Sequence, residues 1–496
     1  MDALIIVALV LPLLLALLVL WPPSRPLAEG LAPLAPLPAL LLALAAKNGL
    51  ALDLPWLLLG SRFMLDETGR LFLGFTAMVW LFSGWYARGY LADDPRRHVF
   101  WSFYLATAAG NLGLCLAGDA ASFYLLFALM TFAAYGLVIH SGSAEACRAG
   151  RVYLVMAVLG ESALMVGMLL VVHAASSHYL SDFAAVTPSA AAITLLLLGF
   201  GIKVGIPLLH MWLPLAHPVA PVPASAVLSG VMLKAGLLGW LRFLPLGGAA
   251  LPEAGTLLLS AGLLAIFLGV AAGLCQREPK VLLAYSSISQ MGFMTLGVGA
   301  GLQEPQLWPV LLPAVGLYAL HHALAKSALF LGVGVIQASQ ARRLVLAGMA
   351  LPAMALSGAP LTSGLSAKIA LKNGLAGLPA PWAGLLPALL PLAALGTALL
   401  MARLLFLLAR LPPHGGSGLV APWWMLVALG VLLPWMQPSA AAGIAVWANA
   451  GWPILLAAVI TALVAHRGMA APALPPGDIL LGLERGLQYL HRLMQR

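Results

Sequence analysis

Five charged side chains lie deep inside apolar runs of this sequence. Lys203 and Lys234 each lie well within such a run, and Glu161, Lys326 and Lys368 do the same elsewhere in the chain. A charge at the centre of a bilayer costs ~2.5–3.5 kcal/mol on insertion scales. Charges kept at that cost usually bind or move something, so these five residues are candidate functional groups.

The types of these residues fit the transfer of protons. A lysine held away from water can release its proton at a pH that cells reach, and a histidine titrates near neutrality. His322 lies one helical turn before Lys326. We therefore predict that six residues form a proton relay if their helices are neighbours. They are Glu161, Lys203, Lys234, His322, Lys326 and Lys368. Lys372 is better explained by a side chain that reaches towards the membrane interface.

Prolines follow Lys203 closely. Pro207 and Pro214 lie in an otherwise apolar stretch. Proline removes a backbone hydrogen bond, and such a gap is tolerated within a membrane only where the freed groups are buried or face a wet cavity. We predict that the helix of Lys203 is interrupted near Pro207 and that Lys234 lies on the helix after it.

The composition places these helices in a membrane. Of 496 residues, 62% are hydrophobic and only 8% are charged, too few charges to cover a soluble protein of this length. Apolar stretches long enough to span a bilayer recur throughout the chain. The sequence therefore predicts an all-α polytopic membrane protein with about fourteen or fifteen transmembrane helices.

The basic residues set an expected orientation. If every predicted span crosses once, nearly all arginine-containing loops lie on one side, which the positive-inside rule assigns to the cytoplasm. The C-terminus is then cytoplasmic. The net charge of +9 reflects these loops, and we expect no nucleic-acid partner.

Motifs for redox chemistry or nucleotide hydrolysis are missing from the sequence. Cys115, Cys147 and Cys275 are scattered without the spacing of a metal or iron–sulfur site. No glycine-rich nucleotide loop follows a strand pattern. We expect no cofactor and no catalytic chemistry in this chain alone, so any uphill transport draws its energy from an ion gradient or a partner.

The last 26 residues differ from the rest. Leucines recur every three or four residues from Leu480 to Leu490, with charged residues between them. This pattern predicts an amphipathic helix over 471–496 that lies on the cytoplasmic membrane face or on a neighbouring subunit.

Four stretches resemble one family. The segment PLLHMWLPLAHPVAPVPASAVLSGVMLKAG after Lys203 is similar to the signature of the antiporter-like subunits of respiratory complex I, of multisubunit cation/proton antiporters and of membrane-bound hydrogenases. QREPKVLLAYSSISQMG, HHALAKSALFLGVG and GAPLTSGLSAK resemble later segments of the same family, in the same order. SGVMLKAG, with Ser229 and Lys234, is most similar to the large membrane subunit of hydrogenase-4 and formate hydrogenlyase.

The resemblance implies two inverted five-helix repeats, each with a broken helix. The expected divisions are N-terminal helices over 1–117, a first repeat over 118–273, a second repeat over 274–410, C-terminal helices over 411–470 and the tail helix over 471–496. It also implies that Lys203 belongs to the first broken helix, that Lys234 is a central relay lysine, and that His322, Lys326 and Lys368 lead to a second half-channel. The expected location is the bacterial inner membrane.

The sequence departs from the family at two places. Aligned on Asp119 and Tyr135, Ala128 stands where pumping members carry the glutamate that pairs with the broken-helix lysine, and Phe127 stands for the tryptophan before it. Leu215 follows the WLP motif where an acidic residue is usual. Glu161 is a candidate replacement carboxylate for Lys203; the alternative is a contact with another subunit.

Two classes of function remain open. In the first, the chain is a proton-translocating subunit whose partner is a redox module, another membrane subunit of a cation antiporter, or a cytoplasmic partner in inorganic-carbon uptake. Sodium, if transported, passes through a partner. In the second, the chain is a non-conducting scaffold, which the Ala128 departure favours. Retention of the buried lysines favours the transporter.

Overall fold

Helices make up most of the computed structural model, which describes residues 2–58, 60–413, 420–436, 443–467 and residues 474, 475 and 477. The helices in chain order are α1 Asp2–Leu18, α2 Arg25–Leu31, α3 Leu37–Ala45, α4 Glu67–Tyr90, α5 Arg97–Leu114, α6 Ala120–Val138, α7 Ala144–Ala175, α8 Ala190–Val204, α9 Trp212–Val219, α10 Val222–Val227, α11 Leu233–Phe243, α12 Pro252–Leu274, α13 Pro279–Gln303, α14 Trp308–Ala338, α15 Arg342–Ser357, α16 Ser363–Leu375, α17 Trp382–Ala409, α18 Val420–Leu432 and α19 Ile444–His466. The predicted helical class is confirmed.

The helices that carry Lys234 and Lys326 lie at the centre of the bundle. Nine helical segments within the described residues are long and apolar enough to cross a membrane. In Val222–Phe243, Pro279–Gln303 and Pro305–Ala338 the apolar window is 94%, 100% and 94% buried, whereas that of Ala144–Ala175 is 50% buried. Some further apolar helices, such as α8, are shorter than a full span, so the number of crossings stays a prediction.

The helix of Lys203 is interrupted. α8 ends at Val204, and Gly205 follows in the left-handed region at φ +79°, which glycine adopts without strain. Pro207 lies in the non-helical segment before α9, and Pro214 lies in the first turn of α9. The indole N–H of Trp212 donates to the Ile202 carbonyl at 2.8 Å, which satisfies a backbone group that the break leaves free.

A second interruption, between α15 and α16, has the same construction. Gly205-Ile-Pro-Leu208 in the first break matches Gly358-Ala-Pro-Leu361 in the second. The glycines have φ of +79° and +81°, and the leucines have φ of +71° and +63°. Leucine rarely adopts this region, so the shared conformation marks two equivalent structural elements. The division of the chain into two inverted repeats stays a prediction.

The helix of Lys234 contains a π turn. Leu228–Met232 forms this turn between α10 and α11. Such turns are rare, occur mostly as single bulges within α-helices, and are frequent at functional sites. Here the π turn directly precedes the lysine.

A short hairpin departs from the helical pattern. β1 (Leu50–Leu54) and β2 (Ser61–Leu65) pair antiparallel, with Leu50 opposite Leu65. The all-α prediction from the sequence did not include this hairpin, whose two strands are only five residues long. The backbone N–H of Arg62 donates to Asp119 at 2.8 Å, which attaches the hairpin to the start of α6.

An ion pair joins the start of α4 to the end of α11. Asp66 accepts a hydrogen bond from the backbone N–H of Gly69 at 2.7 Å and one from Arg242 at 2.7 Å, and a second contact between the two side chains completes a bidentate pair. Burial alone raises the pKa of Asp66, but the hydrogen bonds and charge of Arg242 outweigh it and hold this pKa below its usual value.

The helix predicted over 471–496 lies outside the described residues, apart from the isolated residues 474, 475 and 477.

Candidate functional site

The ammonium group of Lys203 is surrounded by three aromatic rings. Its Nζ lies 5.6 Å from the ring centroid of Phe127, 5.7 Å from that of Tyr153 and 5.9 Å from that of Trp212. These distances are within the range of cation–π attraction. Within the described part of the chain, Nζ makes no direct hydrogen bond or ion pair, so the rings supply its closest favourable contacts.

Glu161 of α7 lines the same cavity as Lys203. The cavity is bounded by α6, α7, α8 and the start of α9 and includes Thr131 of α6. Glu161 is 4% exposed and interacts electrostatically with Lys203, although no hydrogen bond joins the two side chains within the described residues. Phe127 lines this cavity, but Ala128 does not. The carboxylate considered as a replacement therefore approaches Lys203 from α7, through a position that the family pattern does not use.

A glycine brings the helix of Lys203 against the helix of Lys234. A Cβ atom on Gly236 would lie 2.8 Å from the Phe200 carbonyl oxygen and 3.0 Å from the Lys203 Cβ. Glycine is therefore needed for α11 to approach α8 this closely. The two lysines lie on adjacent helices, although no hydrogen bond within the described residues joins their side chains directly.

Lys234 binds the π turn of its own helix. Its Nζ donates to the carbonyl of Ser229 at 2.7 Å, five residues earlier in the chain. The lysine is 1% exposed. The turn therefore provides an acceptor within the membrane interior, where an unsatisfied ammonium is costly.

Serines connect Lys234 to Lys326. Ser229 and Ser287 share a hydrogen bond of 2.7 Å between their hydroxyl groups, and the Ser287 hydroxyl donates to the Leu283 carbonyl at 2.9 Å. Lys326 donates to the same carbonyl at 2.9 Å. A run of polar groups thus extends from one lysine to the other across three central helices.

Lys326 makes a second contact on α13. It donates to the hydroxyl of Ser286, and its neighbour Ser327 donates to the Ala226 carbonyl of α10 at 3.1 Å. Both Lys326 and Ser286 are fully buried. These contacts fix α14 against α13 and α10 at the level of the lysine.

Two buried histidines, His321 and His322, lie between Lys326 and the start of α16. His322 is fully buried and interacts electrostatically with Lys234, Lys326 and His321. His321 is joined through Nδ1 to the Ser363 hydroxyl, at the start of α16, by a contact of 2.8 Å. The histidines therefore lie between the central lysines and the second broken helix.

Lys368 lies at the end of this series. Its Nζ donates to the Ser357 carbonyl, at the end of α15, at 2.9 Å and lies 5.6 Å from the ring centroid of Phe293. Lys368 and the exposed Lys372 line a cavity with ≈ 290 Å³ of space for water. Lys368 is therefore half-buried beside an open cavity, whereas Lys203, Lys234, His322 and Lys326 are buried.

The structure thus sorts the six predicted residues into two groups. Lys234, His322 and Lys326 lie together, with Lys368 reached through His321, whereas Glu161 and Lys203 share a separate cavity next to α11. Sequence reasoning missed Ser286 and Ser287 as connecting groups; their position in the apolar LLAYSSISQMG segment is the available signal. It also left out His217, which is fully buried and stacked on Phe330 with 4.5 Å between ring centroids.

Comparison with known proteins shows which proteins this chain is similar to in sequence. Hydrogenase-4 component B of Escherichia coli is 36% identical over 240 residues, which cover 46% of this chain and 36% of that protein. NADH-quinone oxidoreductase subunit N of Desulforudis audaxviator is 30% identical over 274 residues, which cover 53% of this chain and 52% of that protein. The chain thus matches about a third to a half of the length of these relatives.

Solved structures share the fold. A chain of the Mrp complex from Dietzia sp. aligns with 99% of this chain and 60% of its own length, with a TM-score of 0.79 and 22% identity. At this identity the likeness concerns the fold alone.

A family model agrees with the motifs. The model described as NADH:quinone oxidoreductase/Mrp antiporter, transmembrane, matches residues 117–390, more than half of the chain. The matched region contains the Lys203 cavity, the π turn, both breaks and the central lysines. The chain belongs to the NADH:quinone oxidoreductase/Mrp antiporter family of polytopic membrane subunits, as its motifs predicted.

Proposed function

We propose that this chain is the proton-translocating subunit of a multisubunit membrane complex. Protons move between Glu161, Lys203, Lys234, His322, Lys326 and Lys368, and a partner module supplies the energy. The observation that carries the proposal is the set of buried polar groups between Lys234 and Lys326. Each ammonium donates to a backbone carbonyl, of Ser229 and of Leu283 respectively, and the hydroxyls of Ser229 and Ser287 link these two positions.

The placement of the lysines supports conduction along the interior of the subunit. Lys234 and Lys326 lie on helices that are almost wholly buried within the bundle, so their ammonium groups do not reach the lipid headgroups. Each ammonium donates hydrogen bonds to carbonyl or hydroxyl oxygens. These oxygens are uncharged and do not cancel the charge of the ammonium. At the far end, Lys368 faces a cavity with room for water. These polar groups stabilise an ammonium at each position, so a proton can be held first at one lysine and then at the next.

Mutation of the first two lysines tests the proposal. We expect Lys203→Ala and Lys234→Ala each to abolish proton flux in proteoliposomes of the assembled complex, while assembly remains intact. Lys47→Ala, in an exposed loop, is the control for removal of a lysine. Wild-type flux in both buried-lysine variants refutes the relay.

The partner is proposed to be a redox module, because hydrogenase-4 component B is among the relatives with substantial identity. Purification of the complex in mild detergent tests this assignment. Co-purified iron–sulfur and hydrogenase-like subunits support the redox module. Small membrane subunits alone indicate a cation/proton antiporter, in which Na⁺ crosses through a partner, and a zinc-bearing soluble partner indicates inorganic-carbon uptake.

A non-conducting scaffold is the second candidate function. It is favoured by the absence of any carboxylate in direct contact with Lys203 within the described residues, and by Ala128 and Leu215 at family positions that usually carry acidic residues. The two candidates differ in their response to lysine removal. A scaffold keeps every activity of the complex when Lys203 is replaced by alanine, and a conducting subunit does not.

We place the subunit in the bacterial inner membrane with its C-terminus in the cytoplasm, on the distribution of basic loops. Fusion of a reporter that is active only in the cytoplasm to the C-terminus tests the orientation. If that reporter is inactive and a reporter that works only in the periplasm is active, the C-terminus lies on the opposite side.

A further inference from the structure

Three buried polar atoms in the cavity next to Lys203 have no hydrogen-bond partner among the described residues. They are the Thr131 hydroxyl oxygen and both Glu161 carboxylate oxygens. The Thr131 hydroxyl is close enough to the Glu161 carboxyl group to interact with it, but the geometry of a hydrogen bond is not met. Lys203 brings an ammonium group to the same cavity. A buried polar group without a partner is costly, so one site concentrates a hydroxyl, a carboxylate and an ammonium that are not hydrogen-bonded to one another.

The size of this cavity matches a single small polar molecule. The space in it that is open to the centre of a water molecule is ≈ 20 Å³, and one water needs ~10–15 Å³ of such space. Buried waters typically make two to four hydrogen bonds to otherwise unsatisfied groups. Thr131, Glu161 and Lys203 supply that number, and most of the remaining wall is apolar.

The neighbouring tyrosine does not compete for this position. The Tyr153 hydroxyl donates to the backbone carbonyl of Thr131 at 2.7 Å. This bond fixes α7 against α6 and orients the Thr131 residue, while the Tyr153 ring faces the ammonium. The three aromatic rings thus hold Lys203 at the cavity, which Thr131 also lines.

We propose that one structural water molecule, held by Thr131, Glu161 and Lys203, replaces the direct carboxylate–lysine pair of this site, and that Thr131 is its positioning residue. The proposal rests on the proposed function and specifies how a proton leaves Lys203.

The transfer is balanced in protons and charge. The ammonium of Lys203 gives one proton to the water, and the water gives one of its own protons to the Glu161 carboxylate. The products are a neutral amine, a water molecule and a carboxylic acid. Thr131 accepts or donates a hydrogen bond throughout and does not change its protonation.

Proton flux of the assembled complex tests the role of Thr131. We expect Thr131→Val, which keeps the shape and removes the hydroxyl, to lower the flux by about tenfold, the effect of losing one hydrogen bond of ~1.4 kcal/mol in the rate-limiting transfer. Thr131→Ser restores the hydroxyl and rescues the flux. Thr107→Val is the matched control, because Thr107 is buried on α5 and its hydroxyl, among the described residues, bonds to the Phe103 carbonyl of its own helix. Wild-type flux in Thr131→Val overturns the proposal.

Infrared difference spectroscopy of the complex provides a second readout, which a merely structural role does not move. The carboxyl band that disappears in Glu161→Gln belongs to Glu161. We expect this band to shift to the frequency of a free carboxyl group in Thr131→Val and to return in Thr131→Ser. An unmoved band overturns the proposal.

The two proposals fail in different ways. If Lys203→Ala retains wild-type flux, the proposed function itself is wrong. If Lys203→Ala loses the flux while Thr131→Val keeps both flux and band, only the bridging water is wrong.

Discussion

Lys234 and Lys326 lie at the two ends of one run of polar groups, although they are on different helices and 92 positions apart in the chain. The run passes from the Ser229 residue to the Ser287 hydroxyl and on to the Leu283 carbonyl, which also accepts from Lys326. Its location at the centre of the bundle keeps these polar groups away from lipid-exposed residues.

Ser287→Ala interrupts this run at its middle. We expect proton flux in proteoliposomes to fall by about tenfold, since one hydrogen bond in the transfer is lost. Ser289→Ala, on the same helix, is the control, because the buried Ser289 hydroxyl has no hydrogen-bond partner among the residues that the structure describes. Equal flux in the two variants would show that the serine link carries no protons.

Lys326→Met is expected to separate function from stability. Ser286 and Ser287 still donate to the Leu283 carbonyl at 3.0 Å and 2.9 Å, so removal of the ammonium leaves that carbonyl satisfied. An unpaired charge in the membrane interior is costly, and an apolar side chain of similar volume removes that cost. We predict lost proton flux together with an unchanged or higher Tm of the solubilised complex. A marked fall in Tm with proton flux retained would contradict this prediction.

Ala128→Glu tests which helix supplies the carboxylate for Lys203. Ala128 is half-buried and outside the cavity, whereas Glu161 lines it. We expect Glu161→Gln to lower proton flux and the double variant Ala128→Glu/Glu161→Gln to stay at that lower level, because the new carboxylate does not face the lysine. Recovery of flux in the double variant would show that a carboxylate at position 128 reaches Lys203, as in the family pattern. That result would contradict the role proposed for Glu161.

The Asp66–Arg242 pair predicts a pH-dependent contribution to stability. The folded pKa of Asp66 lies below its usual value of about 4. The pair therefore contributes fully above that pH and is lost as the pH falls through the folded pKa. Asp66→Asn should lower the free energy of unfolding near neutrality by about 1–3 kcal/mol.

The measurement is the Tm of the solubilised complex between pH 7 and pH 3. The difference between wild type and Asp66→Asn should shrink below about pH 4. Asp93→Asn, at an exposed loop position, serves as the control. A difference that stays constant with pH would exclude titration of Asp66 as its source.

The buried lysines were predictable from sequence because a charge within a long apolar run is costly wherever the helix lies. The break at Pro207 was similarly visible, since proline and glycine limit the backbone locally. The contact through which Ser287 links the two lysine positions was not predictable from sequence. Ser286 and Ser287 both donate to the Leu283 carbonyl of their own helix, as serines in membrane helices commonly do, and only tertiary packing adds the contact with Ser229.

The relation between Glu161 and Lys203 was predictable only in part. The sequence shows that Ala128 replaces the usual glutamate and that Glu161 is a nearby candidate. Which face of α7 meets α8 depends on packing that no local pattern specifies. The same holds for Gly236, whose importance follows from the 2.8 Å approach that a Cβ would make to the Phe200 carbonyl oxygen. The hairpin of β1 and β2 was missed because its two short strands share their apolar composition with the helices around them.

Proton flux driven by a membrane potential, measured in proteoliposomes that contain the assembled complex, tests the central claim most directly when wild type is compared with Lys234→Ala and Lys47→Ala. A relay through the central lysines predicts that flux is lost in Lys234→Ala and retained in Lys47→Ala, with all subunits present in both. Flux at the wild-type level in an intact Lys234→Ala complex would contradict it.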